Sequence, residues 1–501
     1  MRVPAWVRDA VFYQIFPDRF AQSVRVAKPA NLEDWNAPPT FHGFKGGDLF
    51  GIVERLDYLV ELGINAIYCT PIFQSTANHR YHTHDYFRVD PLLGGDVALR
   101  ALLAAAHGRG MKVVLDGVFN HASRGFFQFN HLLENGKQSP YLDWFHVRSW
   151  PLFAYEPTTQ PAGYAAWWGL KALPEFNTDT PAVREFLFAV ARYWIEFGID
   201  GWRLDVPNEI DDDDFWQQFR RVVKAANPEA YIVGEIWDAA DRWLQGDQFD
   251  AVMNYQFTRA CLEFFAGARG DPDLMRNGYG TPQPCDAPTF ARNIETLLRR
   301  YAPAATGVML NPLGSHDTPR FLSMARGDES ALRLALLMQM AYPGAPCIFY
   351  GDEIGMVGGK DPDMRPGMIW DESQWNISLR DYVKRCIALR RAHPSLRWGA
   401  FANWYAEDMV YAFARRGGGD LCVIILNASD TMQTVTLPTN DWLRDGDVLR
   451  DVSPQGGLSP QGELWSAQTW AVANRTIHAV QVAARTGIVL ERIGDSQKRE
   501  A

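Results

Sequence analysis

Four acidic residues stand at or just past the ends of short apolar runs: Asp116, Asp205, Glu235 and Asp317. Asp205 and Glu235 are thirty positions apart, about one α/β unit, so they should sit side by side on neighbouring strands. Two carboxyl groups about 5 Å apart can cleave a glycosidic bond with retention, one attacking the anomeric carbon and the other protonating the leaving oxygen. Arg203 lies two residues before Asp205, on the same strand face, where its fixed charge would keep the nucleophile ionised. Glu235 must instead stay protonated near neutrality, through burial and nearby acids. The competing reading of Asp205, Glu235 and Asp317 is buried ion pairing with Arg203, although carboxylates are seldom buried without a task. Asp116 reads better as a support than as a reacting group. His121 and His316 become candidate ligands only through their position beside the acids.

These side chains need a frame that aims strand ends at one place. Eight runs have strand character: VFYQIF (11 to 16), INAIYCT (64 to 70), KVVLDGVF (112 to 119), GIDGWRLD (198 to 205), YIVGEIW (231 to 237), AVMNY (251 to 255), GVMLNPL (307 to 313) and CIFYG (347 to 351). Helix-length periodic segments such as GIVERLDYLVEL, ALRALLAAAHGRG and FWQQFRRVVKAA separate most of them. Eight alternating β/α units predict a (β/α)8 TIM barrel, whose active site lies at the C-terminal strand ends. The barrel is expected over residues 1–121 and 179–397. Residues 122–178, rich in aromatics, Pro and Gly, exceed what one connection requires and predict an inserted subdomain. Alternating strands from 398 to 490 predict a C-terminal antiparallel β-sandwich, and 491–501 a tail. The acidic run Asp211 to Asp214 is expected to open a helix, where negative charge meets the positive helix end.

Composition removes several function classes. The net charge is -10, with 59 acids against 49 bases, which disfavours nucleic acid as a partner. The 18 Trp, 18 Tyr and 29 Phe include enough flat apolar faces to hold sugar rings, although most must be core. Six widely spaced cysteines without a CxxC predict free thiols in a reducing compartment. The charged N-terminus MRVPAWVRDAVFYQIF lacks a signal-peptide core, and the most apolar long run, Leu332 to Tyr350, is interrupted by Arg333, Gln339 and two prolines. A cytoplasmic location without membrane association is expected. No Cys/His cluster has metal spacing, so neither metal nor cofactor is predicted.

The strings DGVFNH (116 to 121), GWRLD (201 to 205), GEIW (234 to 237) and SHD (315 to 317) resemble, in order and spacing, the four signature regions of the α-amylase family, over roughly residues 8 to 398. That resemblance implies hydrolysis of α-1,4-glucosidic bonds in maltooligosaccharides, cyclodextrins or related α-glucans, with Asp205 as nucleophile, Glu235 as acid/base and Asp317 as transition-state stabiliser. It also implies that Arg203, His121 and His316 line the subsite of the attacked glucose, and that Tyr81, in YHTHDY, stacks on it. LPEFN (173 to 177), VPNE (206 to 209), GGKDPDMR (358 to 365) and SHDTPRFL (315 to 322) resemble the neopullulanase, cyclomaltodextrinase and maltogenic amylase branch. Asn208 and Glu209 of VPNE and Asp363 and Arg365 of GGKDPDMR are added as candidate substrate contacts, as is Trp237 at the end of GEIW, while Trp167 and Trp168 stay outside the expected site.

The chain departs from that branch in three places. It begins almost at the first strand, where those enzymes usually carry an N-terminal β-domain, so dimerisation through such a domain is not expected, and the oligomeric state stays open. Glu175 stands where the motif has Lys, and His82 where it usually has Asp. The loop after the first strand reads AQSVRVAKPAN, keeping only Gly46 and Asp48 of a calcium site, and hard cations need six or more oxygens, so no calcium is expected there. Two rival functions remain: a transglycosylase or trehalose-synthase-like enzyme, whose glycosyl-enzyme is intercepted by a sugar, and a non-catalytic glucan-binding scaffold. The presence of all three acids disfavours the scaffold.

Overall fold

The computed structural model describes residues 2–156, 159–455 and 468–493, and residues 494–501 of the predicted tail 491–501 lie outside them. The architecture is a (β/α)8 barrel followed by an antiparallel β-sandwich. The chain divides into two compact units, Met1–Trp6 with Phe12–Met253 and Arg365–Met368, and Val7–Val11 with Asn254–Met364 and Ile369–Ala501.

The first unit holds six parallel strands: β1 (Phe12–Ile15), β2 (Ala66–Cys69), β3 (Lys112–Gly117), β4 (Gly201–Leu204), β5 (Tyr231–Gly234) and β6 (Ala251–Val252). Each pairs with the next in chain order. Every residue of β1, β2, β4 and β5 is buried, which explains why these runs show no polar alternation: helices cover one face and the barrel interior the other. Gly201 is needed where β4 meets β5, because a Cβ there would lie 2.4 Å from the Tyr231 carbonyl oxygen. The helix Asp213–Ala226 begins where the acidic run predicts, with Asp212 as N-cap accepting from the Phe215 amide at 3.0 Å.

Two features between these strands matter for the site. A hairpin that the sequence did not announce, Phe73–Ser75 with Thr83–Val89, carries Tyr81 in its connection. Beyond β3, residues 122–178 hold the helix Phe127–Asn135, short turns and isolated bridges, among them Phe145 with Phe176 and Ala166 with Pro174. Phe129 packs against Phe145 and Tyr164, both at 4.8 Å between ring centroids, so many aromatics of this segment serve its own small core.

The second unit holds the parallel pair β7 (Leu310–Pro312) and β8 (Ala345–Phe349), with the helix Glu329–Ala341 between them in sequence. Ala331, Leu332 and Leu334–Ala341 of that helix are buried, and Gln339 is the one polar residue among them. Among the described residues eight antiparallel strands follow: β9 (Ala400–Glu407), β10 (Val410–Gly417), β11 (Asp420–Asn427), β12 (Gln433–Pro438), β13 (Val448–Asp451), β14 (Thr469–Ala473), β15 (Thr476–Val482) and β16 (Thr486–Arg492). Their order is β9-β10-β11-β16-β13-β14-β15-β12. Alternate residues, such as Ala412 and Ala414, Val423 and Ile425, and Val480 and Val482, enter one core, as the two-residue strand period requires. β16 ends at Arg492, two residues past the boundary expected for this region.

Candidate active site

β3, β4 and β5 end side by side, and their register decides which polar side chains meet. Asp116 pairs with Arg203, and Leu204 with Gly234. The next residues continue the ladder, the Asp205 amide donating to Gly117 O at 3.0 Å and the Glu235 amide to Leu204 O at 2.9 Å. Asp205 and Glu235 are thus the first residues past two adjacent strands, and the backbone holds both.

Their side chains converge on one guanidinium. Arg203 is fully buried; its Nη1 donates to Asp205 Oδ1 at 3.0 Å and to both Asp116 oxygens at 3.0 Å. Its Nη2 lies 2.9 Å from Glu235 Oε2. Asp205 is 8% and Glu235 4% exposed, so the ion pairs are weakly screened by water. One cation faces three carboxyls, so a proton on one of them relieves repulsion that the single guanidinium does not offset. Burial raises the pKa of Asp116, against Arg203 and the hydroxyls of Tyr68 and Tyr81, while the surrounding acids push that of Arg203 well up against its desolvation.

Further contacts orient the carboxyls. Glu235 Oε2 accepts from the Val206 amide at 3.1 Å, and Oε1 from Trp237 Nε1 at 3.2 Å. Val206 has φ 35° and ψ 50°, a left-handed conformation that a β-branched residue adopts only under constraint. Asp116 Oδ2 accepts from Tyr68 at 2.5 Å and from Tyr81 at 2.9 Å. The buried His121 ring hydrogen-bonds the Tyr81 backbone, and burial lowers its pKa to about 3, leaving it neutral at working pH.

The first unit therefore joins Tyr81, Asp116, His121, Arg203, Asp205, Glu235 and Trp237 in one hydrogen-bonded and ionic network. Asn208 and Glu209 are exposed on the turn Pro207–Glu209, outside it, with the charge of Glu209 acting on Glu175. Arg365 lies over the Phe16 ring at 5.6 Å. In the second unit, His316 is fully buried with Nε2 3.1 Å from Asp317 Oδ2, and Asp363 is exposed.

Several partners escaped the reading of the sequence. Tyr68 is hidden inside the apolar run INAIYCT. Trp167, left outside the expected site, stacks on His121 at 5.2 Å. Asp352, buried and paired with Arg320 Nη1 at 2.6 Å, has its pKa raised to about 6 by burial. It follows β8 closely, so the rule that exposed the other acids would have found it.

The loop expected to lack calcium uses its remaining acid internally: Asp48 Oδ2 accepts from Lys28 Nζ at 2.6 Å and from the Ser23 amide at 2.8 Å. The clearest grouping of potential metal ligands, His393, Asp420 and Cys422, lies in the second unit, where Asp420 already accepts from Ser395 and His393.

Residues 14–398 match the family described as Alpha amylase, catalytic domain. A cyclomaltodextrinase of Thermoanaerobacter pseudethanolicus is 42% identical over 457 residues, covering 91% of this chain and 76% of the relative. Neopullulanase 2 of Thermoactinomyces vulgaris is 44% identical over 438 residues, 87% of this chain and 72% of the relative. The crystal structure of a debranching enzyme from Nostoc punctiforme superposes with a TM-score of 0.87 at 45% identity, covering 98% of this chain and 99% of the other.

Proposed function

The chain belongs to the α-amylase family, and on that premise we propose that it cleaves α-1,4-glucosidic bonds in maltooligosaccharides, cyclodextrins or related α-glucans with retention of configuration. The observation that carries this reading is the placement of Asp205 and Glu235 on two nitrogens of the single Arg203 guanidinium. It favours the close carboxyl spacing of a retaining mechanism over the wider gap that an inverting one leaves for water.

In this mechanism Asp205 attacks the anomeric carbon while Glu235 gives its proton to the departing glycosidic oxygen, breaking the C–O bond and forming a glycosyl ester on Asp205. Glu235, now ionised, takes a proton from water, whose oxygen attacks the same carbon, releasing the sugar and restoring both acids. Arg203 holds Asp205 ionised, Tyr81 and Tyr68 keep Asp116 in place against Arg203, and Trp237 orients Glu235. Asp317 and His316 supply the third acid and its neighbour by family resemblance, with Asn208, Glu209, Asp363 and Arg365 as outer substrate contacts. Six free cysteines, five of them buried, support a reducing, cytoplasmic location, and no described helix is long and apolar enough to cross a membrane.

Likeness to a debranching enzyme favours a second reading in which α-1,6 bonds are also cut. Purified enzyme incubated separately with β-cyclodextrin, pullulan, starch and maltotriose decides between them by product chromatography. Faster attack on cyclodextrin than on starch supports the first reading, and panose from pullulan shows attack on its α-1,4 bonds. Maltotriose from pullulan supports α-1,6 cleavage, and products longer than the substrate point to transfer instead. Asp205→Asn should lower turnover by more than about 10³-fold.

A further inference from the structure

The inserted segment carries a stack of three rings that starts at the network described above. His121 lies 5.2 Å from Trp167 with 22° between planes, and Trp167 lies 4.7 Å from Trp168 with 9° between planes. Trp168 is 81% exposed, and its backbone is left-handed at φ 52°. An indole gives up burial when it is left in water, and a non-glycine residue loses further stability in this conformation. The surrounding loop nevertheless fixes it there. The Trp167 amide donates to Leu173 O at 3.0 Å, the Gly169 amide to Ala166 O at 2.9 Å, and the Leu170 amide to Trp167 O at 2.9 Å.

The inner end of the stack is polar and incomplete. His121 is 1% exposed, and its Nε2 has no hydrogen-bond partner among the described residues. A buried ring nitrogen of this kind is normally satisfied, and a hydroxyl group is one partner that would complete it. An exposed indole face matches the apolar face of a pyranose.

Building on the α-glucan reading, we infer that Trp168, backed by Trp167, is a stacking platform for a glucose ring of the substrate beyond the ring bound at His121, and that it sets chain-length preference. A substrate too short to reach the outer indole gains nothing from it, whereas a longer one does.

The test compares kcat/KM on maltose, maltotriose and maltohexaose for the wild type, Trp168→Leu and Trp168→Phe. The leucine variant should lose roughly three- to tenfold on maltohexaose through KM while staying within about twofold on maltose, and phenylalanine should restore most of the loss. An equal loss on every length, or none, would overturn the inference. Binding of maltohexaose to Asp205→Asn, with and without Trp168→Leu, reads the platform without turnover: a weaker Kd by a similar factor supports it, and an unchanged Kd refutes it. Failure of the wild type to hydrolyse any glucan would instead remove the hydrolase reading, leaving the binding comparison to judge the platform.

Discussion

The amide of Val206 donates to Glu235 Oε2 at 3.1 Å, so the backbone immediately after Asp205 grips the carboxyl on the neighbouring strand. Two candidate catalytic acids are thereby coupled through one residue held at φ 35°. A β-branched residue in this region stores strain of about 1–3 kcal/mol, which glycine would relieve while also loosening the amide. Val206→Gly should therefore match or exceed the thermal stability of the wild type yet show a lower kcat. Calorimetry beside steady-state kinetics checks this; a less stable variant with full activity would contradict it.

Arg203 predicts a different pattern. It is fully buried and serves Asp116, Asp205 and Glu235 from two nitrogens, a forked geometry that a lysine ammonium cannot reproduce. Arg203→Lys should reduce kcat by about 10²-fold or more and destabilise the fold by about 3–5 kcal/mol, because breaking a buried pair leaves charges uncompensated. Denaturant unfolding and initial rates, measured together, would expose a mere loss of surface charge as a change below about 1 kcal/mol.

How much of this was legible beforehand follows from the physics of each residue. Asp116, Arg203, Asp205 and Glu235 stood out because a charged residue at the end of an apolar strand violates the local pattern, and parallel register then brings neighbours together. The eight strands were legible because runs buried on both faces are continuously apolar. Tyr68 was not, since a tyrosine in such a run looks like any core aromatic until its hydroxyl finds Asp116. The hairpin Thr83–Val89 was obscured by its polar sequence THDYFRV, half of which is not buried. Trp167 and Val206 depend on loop conformation, which periodicity does not encode.

Trp237 tests how Glu235 is tuned. Its Nε1 donates to Oε1 at 3.2 Å, and a donor to a carboxylate favours the ionised form. Trp237→Phe removes the donor but keeps an aromatic ring. The alkaline limb of the kcat profile, which reports loss of the proton from the general acid, should move to higher pH, with kcat itself changed severalfold. A limb that stays in place would separate Trp237 from the proton-bearing group.

His121 offers a test on stability alone. Burial, with a smaller contribution from His82, lowers its pKa to about 3 from an ordinary value near 6.5. Between those values the unfolded chain binds a proton at this position that the folded chain refuses, so stability rises with pH and falls on acidification. The penalty begins near pH 6.5, reaches about 2 kcal/mol by pH 5, and grows until the folded-state value is reached. His121→Asn removes this titration while keeping a polar side chain of similar reach. The wild type should accordingly lose more stability than the variant between pH 7.5 and pH 5. Chemical denaturation at both pH values measures that difference, and parallel losses in the two proteins would show that His121 takes up its proton as readily folded as unfolded.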